Sequence, residues 1–371
     1  MKIVQVANFV HETSGGMRTA LSALQRQYLL QGHEVVQIRP GAEARREEID
    51  SVLQIVVRGP VLPMTGGYRV IMARRGLQSI LTELKPDVVE LSDKSTLSWL
   101  PHWCQGQGIA CIVISHERTD LMVKSLGWQR FIVEPIVKHY RSLVTRNADA
   151  IVCASEFAAQ EFGTETKKVR IVPLGVELGN FSAAAKERQW GTPLTLVVCA
   201  RLSREKNIDI AIESIRLLST VRPCQLLIMG DGPLMGQLQQ QASGLPVHFF
   251  GHVASRESIA NILTFADVML NLGNVETFGL ASLEALASGT PVVSANTGAA
   301  KEIVNNLCGR ITSLVPQQIV DAICELTEQS RVDLTEQCRT RAEAFDWAFT
   351  GKQMEEMYLS LSPRGNYVSH S

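Results

Sequence analysis

Aromatic residues make up only 6% of the 371-residue chain, and neither charge is in excess: 36 Lys and Arg stand against 37 Asp and Glu. A near-neutral balance argues against whole-chain nucleic-acid binding, which needs a basic footprint. The eight cysteines, at 104, 111, 153, 199, 224, 308, 324 and 338, form no Cys-x-x-Cys pair, and no histidine stands at zinc-knuckle spacing. Cys111, Cys153 and Cys199 sit inside apolar runs and read as small core residues. No apolar run reaches the roughly 18 residues of a membrane span. No secretory leader opens the chain, so a cytoplasmic location is expected. No G-x-G-x-x-G follows the first strand, which disfavours nicotinamide and flavin chemistry, and no G-x-x-x-x-G-K-[ST] marks a P-loop. No D-x-D stands between apolar strands, so no acidic metal site is indicated.

What is present suits two domains, at roughly 150 residues each. Strand-length apolar runs alternate with helix-period segments. Strands are predicted at 3–9, 34–38, 88–91, 109–115, 150–154 and 169–172, with a helix over 17–31 that Gly32 ends. Residues 173–193 break the rhythm with linker composition. A second series then begins, with strands at 194–200, 225–229, 247–250, 268–272 and 291–295 and helices between them. Strands separated by helices imply parallel β-α-β connections, so the class is α/β with two doubly wound, Rossmann-like units. Helices from about 317 to 361 close the chain, and the tail 362–371 is expected to be disordered.

Three segments concentrate chemistry. In E-T-F-G-L-A-S-L-E, Glu276 precedes a helix start at Phe278-Gly279-Leu280, and Glu284 lies about a turn inside the helix. Helix N-termini offer unpaired N–H groups to phosphate or hydroxyl oxygens, and carboxylates accept well from sugar hydroxyls. Arg201 and Lys206 follow the first strand of the second series, at the strand-end edge where open α/β sheets bind ligands. Two cations there can stabilise a diphosphate leaving group. Near the N-terminus, Gly15-Gly16 joins a strand to a helix and permits close backbone approach.

Taken in order, these residues resemble retaining glycosyltransferases of family 4, with the GT-B fold. The resemblance runs over nearly the whole chain. It includes Gly15-Gly16, the segment 173–176, Arg201 with Lys206, Gly230-Asp231-Gly232-Pro233, Phe250-Gly251-His252, the seven-residue spacing of Glu276 and Glu284, and the segment 288–293. It implies two Rossmann-like domains facing a cleft, 1–174 with about 352–371 and 175–351, with the last helix crossing back to the first domain. It further implies that Arg201 and Lys206 hold the diphosphate, with Gly16 approaching it from the first domain. Glu276 and the backbone of Phe278, Gly279 and Leu280 would hold the donor sugar, and Glu284 the ribose hydroxyls. The segment Gly251–Val253 would border the base. His116, in Ser115-His116-Glu117-Arg118, matches the active-site histidine facing the sugar. Two departures stand out: Leu174 where the family often has Asn, and Asn207 where Gly often follows the Lys.

The chemistry implied is transfer of a hexose from a nucleoside-diphosphate sugar with retention of anomeric configuration, with no cofactor and no metal. The segment 115–120 is similar to bacterial lipid mannosyltransferases that use GDP-mannose, which makes a glycolipid or phosphoinositide hydroxyl the expected acceptor. Residues 58–146 hold 12 basic and 7 acidic side chains, and Arg69, Arg74 and Arg75 punctuate an otherwise apolar stretch. Such a stretch suits an anionic membrane surface at the cytoplasmic face, and equally a helix with one core face and one solvated face. The competing readings are a UDP-sugar enzyme with a soluble acceptor, a sugar-nucleotide epimerase, a nicotinamide oxidoreductase, and a catalytically silent nucleotide-sugar-binding subunit.

Overall fold

The computed structural model describes residues 1–8, 16–62, 67–124, 130–163, 167–181 and 190–361. The chain divides into two compact units, Met1–Pro173 with the segment from Trp347, and Leu174–Asp346. The return to unit 1 thus comes at Trp347, where a helix starts, about five residues before the expected point. The expected disorder of 362–371 lies outside the described residues, as does Gly15.

Unit 1 is built on strands Lys2–Val6 (β1), Glu34–Gly41 (β2), Arg45–Ile49 (β3), Val52–Arg58 (β4), Val88–Leu91 (β5), Ala110–Ser115 (β6), Ala150–Cys153 (β7) and Val169–Ile171 (β8). They lie in the order β3-β4-β2-β1-β5-β6-β7-β8. All pairs are parallel except β3 with β4. Strands β5, β6 and β7 are buried along their whole length, the expected state of parallel strands covered on both faces. Sequence periodicity missed the β3–β4 hairpin. Its two-residue turn is Asp50-Ser51, with φ of 50° and 62°; such primed turns favour Asn-Gly or Asp-Gly, so Asp-Ser gives little signal.

The segment around Arg69 also departs from expectation, because residues 67–73 are not helical. Arg69 bridges Val61 in antiparallel fashion, Val70 and Ile71 are buried, and the helix begins only at Arg74.

The helix Trp347–Leu361 packs in unit 1 against the helix Gly16–Leu30. Thr350 Oγ1 donates to the Pro173 carbonyl at 2.8 Å. Tyr358 reaches Tyr28 at 2.9 Å between hydroxyls and donates to Glu90, which also accepts from Gln5 Nε2 at 2.8 Å. Glu90 is fully buried, and burial raises the pKa of its carboxyl.

Unit 2 holds Leu194–Cys199 (β9), Cys224–Met229 (β10), Val247–Gly251 (β11), Val268–Asn271 (β12), Val292–Ala295 (β13) and Gly309–Thr312 (β14). All are parallel, in the order β11-β10-β9-β12-β13-β14. Numbered from β9, this is the 3-2-1-4-5-6 order of a dinucleotide-binding sheet, which reverses direction between β9 and β12. Ligands of open α/β sheets bind at that reversal, beyond the strand ends.

Candidate active site

At the reversal, the loops after β9 and β12 are stitched together. Asn207 Nδ2 donates to the Leu272 carbonyl at 2.7 Å, and the Asn274 amide to the Glu205 carbonyl at 3.1 Å. Lys206 Nζ pairs with Glu276 Oε2 at 2.6 Å, both side chains about four-fifths covered. Asn207 itself has φ 51° and ψ 42°. Asn is the residue after Gly that best tolerates this left-handed conformation, so the departure from Gly keeps the backbone turn and adds a side-chain tie. Arg201 is exposed, and its guanidinium has no hydrogen-bond or ion-pair partner among the described residues.

The glycine segment after β10 supports this edge from behind. The Leu202 amide donates to the Asp231 carbonyl at 3.0 Å and the Leu234 amide to the Leu202 carbonyl at 3.1 Å. A Cβ at Gly230 would lie 1.9 Å from the Ala200 carbonyl oxygen, so only glycine permits this approach.

After β12 the chain passes Glu276, buries Phe278 edge-on against Phe345 with ring centroids 6.0 Å apart, and turns through Gly279 at φ 100° into the helix Leu280–Ala287. Its N-cap is Gly279, which brings no capping side chain to the leading amides. The Ala299 amide donates to the Glu276 carbonyl at 2.9 Å, and Gly298 packs tightly on the Glu276 backbone. Sequence reading missed Gly298, because nothing local distinguishes Thr297-Gly298 from an ordinary turn.

Glu284 sits inside the helix with its side chain 8% exposed and pairs with Arg256 Nη1 at 2.8 Å. Burial raises its pKa, and the Arg256 guanidinium opposes that rise. Arg256 begins the helix Arg256–Phe265 beyond Gly251–Val253 and was not anticipated. Its pairing brings the segment after β11 to Glu284. Nearby Cys199 is pushed up to about 12, chiefly by burial, so its thiol is inert as a nucleophile.

The structure therefore gathers Lys206 with Glu276, and Glu284 with Arg256, on unit 2, with Phe278, Gly279 and Leu280 alongside. Gly16 and His116 belong to unit 1. Gly16 is the first residue of the helix Gly16–Leu30. His116 follows β6, and its Nε2 lies 3.1 Å from Ser92 Oγ. Protein atoms surround most of the ring although part of its surface stays open; burial and then the Lys94 ammonium lower its pKa to about 4. The three arginines considered for a membrane face have different settings. Arg69 Nη1 donates to the Gly59 carbonyl at 2.7 Å, Arg74 stacks over Trp99 at 4.5 Å, and Arg75 is exposed. Among the described residues, no group of three His, Cys, Asp or Glu could hold a metal, and no helix is long and apolar enough to cross a membrane.

Comparison with known proteins matches residues 14–180 to the model "Glycosyltransferase Family 4" and residues 193–329 to "Glycosyl transferases group 1". A Mycobacterium tuberculosis GDP-mannose-dependent alpha-(1-6)-phosphatidylinositol dimannoside mannosyltransferase is 38% identical, over 94% of this chain and 93% of its own. The chain belongs to glycosyltransferase family 4. Its GT-B fold is shared with sucrose-phosphate synthase from Thermosynechococcus elongatus, at TM-score 0.77 and 19% identity over 97% and 98% of the two chains. Anabaena Alr3699/HepE, solved with UDP and glucose, gives 0.75 at 17% identity over 97% and 100%. Arg201, Lys206 and Glu276 of this glycosyltransferase thus lie at the sheet reversal of unit 2, the edge at which open α/β sheets bind ligands.

Proposed function

We propose that this glycosyltransferase moves mannose from GDP-mannose to a hydroxyl of a glycolipid or phosphoinositide acceptor, with retention at the anomeric carbon and without metal. The observation that carries the reading is the edge formed by Arg201, Lys206 and Glu276. Departure of the nucleoside diphosphate leaves negative charge on its oxygens. Arg201, exposed and without a partner among the described residues, is set to receive it. Lys206 exchanges or shares its Glu276 contact for a phosphate oxygen, while Glu276 accepts from sugar hydroxyls and the leading amides of the helix Leu280–Ala287 complete the cradle. Glu284, kept paired by Arg256, takes the ribose hydroxyls, and Gly251–Val253 border the base. The family resemblance assigns Gly15 and Gly16 to the diphosphate and His116 to the donor sugar. The mannose donor and lipid acceptor take their support from the 38% identical mycobacterial relative. Peripheral contact with an anionic membrane rests on Arg74 and Arg75 of the helix Arg74–Leu84, since Arg69 is occupied by Gly59.

The test is a thermal-shift series with GDP, UDP and ADP sugars, followed by transfer assays in EDTA with NMR assignment of the product anomer. Stabilisation by GDP-mannose alone is expected, because a ligand that binds only the native state raises its stability by mass action. Selective stabilisation by a UDP-sugar, an inverted product, or activity lost in EDTA and restored by Mg²⁺ would each overturn the corresponding part. Efficient transfer to a small soluble sugar with none to lipid removes the acceptor class.

A further inference from the structure

Unit 1 carries its own concentration of charge, around His116 at the ends of β5 and β6. Lys94, in the loop after β5, has a side chain only 9% exposed. Its ammonium donates to Ser115 Oγ at 2.8 Å, to the Glu117 carbonyl at 2.5 Å and to Glu161 Oε2 at 2.5 Å. An ammonium has three donors, so none remains for a ligand. Ser115 and Glu117 are the chain neighbours of His116, and one ammonium therefore grips the loop on both sides of the imidazole. Ser92, two residues before Lys94, meets His116 Nε2 from the same loop. Glu161, in the short turn Gln160–Phe162, has a fully buried side chain and also accepts from Thr119 Oγ1. Arg141 Nη1 fixes the Glu161 carbonyl at 2.9 Å. A buried ion pair is a weak source of stability compared with apolar packing, so this one calls for a different role.

We propose that Lys94, anchored on Glu161, is a positioning residue for His116 in the transfer reaction, fixing the loop that carries the imidazole and setting a positive charge beside it. The proposal rests on His116 serving the reaction. The other charged groups around the ring are already engaged or exposed. Asp93 accepts from Asn8, Ser95 and Thr96. Arg118 forks onto Asp120 at 3.0 and 2.7 Å, and the Glu117 side chain is exposed. Burial, with the Lys94 ammonium adding to it, keeps the ring neutral at ordinary pH. A neutral imidazole exchanges hydrogen bonds with a sugar hydroxyl without placing a cation beside the positive charge that develops on the sugar ring during glycosyl transfer.

The test compares Lys94→Arg, which keeps the charge, with the double variant Lys94→Met/Glu161→Gln, which removes both buried charges and so leaves neither unpaired. NMR titration of the His116 ring, assigned by its loss in His116→Gln, should show the parent and Lys94→Arg neutral until well below pH 6. The double variant should titrate roughly a pH unit higher than the parent. At pH 7 its kcat should fall roughly tenfold to a hundredfold through misplacement of the loop, with the donor KM little changed, and Lys94→Arg should recover much of the loss. A normal kcat in the double variant overturns the proposal, whether or not the titration moves. Full turnover in His116→Gln overturns the assignment of His116 itself, and the positioning role with it.

Discussion

The two units use charge in opposite ways. In unit 2, Arg201 stands exposed, and the Lys206–Glu276 pair is only partly covered, so both signs remain within reach of a ligand. In unit 1, Lys94 pairs with Glu161 and Arg118 with Asp120, and the two cations also donate to backbone carbonyls, so they hold a loop in place. The difference follows from burial. A group that must exchange partners with substrate has to stay near water, whereas a group that fixes geometry works best desolvated and saturated.

The largest effect should come from the exposed cation of the unit 2 edge. Arg201→Ala is expected to lower kcat/KM by roughly 10²–10³, the usual loss when a stabiliser of developing charge is removed. Parent-like kinetics would erase the contrast between the units. Next come the two glutamates. Glu276→Gln should reduce kcat as well as donor affinity, because its carboxylate is placed for the reacting sugar. Glu284→Gln should chiefly raise the donor KM, since ribose contacts are equal in ground and transition states. Steady-state kinetics on both variants decide this, and indistinguishable patterns would remove the division of labour.

A smaller effect, on stability, comes from the support of Glu276. Gly298 has φ 74°, and a Cβ there would lie 2.8 Å from the Glu276 carbonyl oxygen. Gly298→Ala should therefore cost about 1–3 kcal/mol, read as a fall in Tm, with a loss of kcat as the Glu276 loop shifts. An unchanged Tm and kcat would show that the loop is softer than its packing implies.

The smallest effect is a pH dependence in unit 1. His116 titrates at about 4 in the folded chain against an ordinary value of 6.5, so the unfolded chain takes up a proton first as pH falls. The resulting stability is fully present above pH 6.5 and is lost progressively towards pH 4, at no more than about 1.4 kcal/mol per pH unit and less for a ring that is partly open. Glu90 and Glu284, with raised pKa values, push the other way, so the parent should be compared with His116→Gln. Between pH 7 and 4.5 the Tm of the parent should fall further than that of the variant.

The candidate site residues of unit 2 were legible because they are close together in sequence. Glu276, Gly279 and Glu284 lie within nine consecutive residues, and Arg201 and Lys206 within six, so one strand-to-helix turn carries each group. Arg256 escaped notice because its partner Glu284 lies on a different element, 28 residues away in sequence. Unit 1 was less legible for the same reason. Lys94 and Glu161 are 67 residues apart, and each alone reads as a solvated surface charge. The β3–β4 hairpin was missed for want of a glycine in its turn, and residues 67–73 are not helical, with Val70 and Ile71 drawn into the core.

Apolar periodicity, turn residues and the spacing of a few charged side chains thus determined the α/β class, the two parallel sheets and the residues at the strand ends of unit 2, because each depends on contacts within a few residues of chain. Tertiary structure decided which charges meet. Lys206 faces Glu276 only because β9 and β12 are neighbours at the sheet reversal, and Arg256 meets Glu284 only because the segment after β11 folds towards the helix Leu280–Ala287. Lys94 is buried on Glu161 rather than solvated because β5, β6 and β7 are neighbours in one sheet, and desolvation there makes saturation of its three donors a requirement rather than a preference.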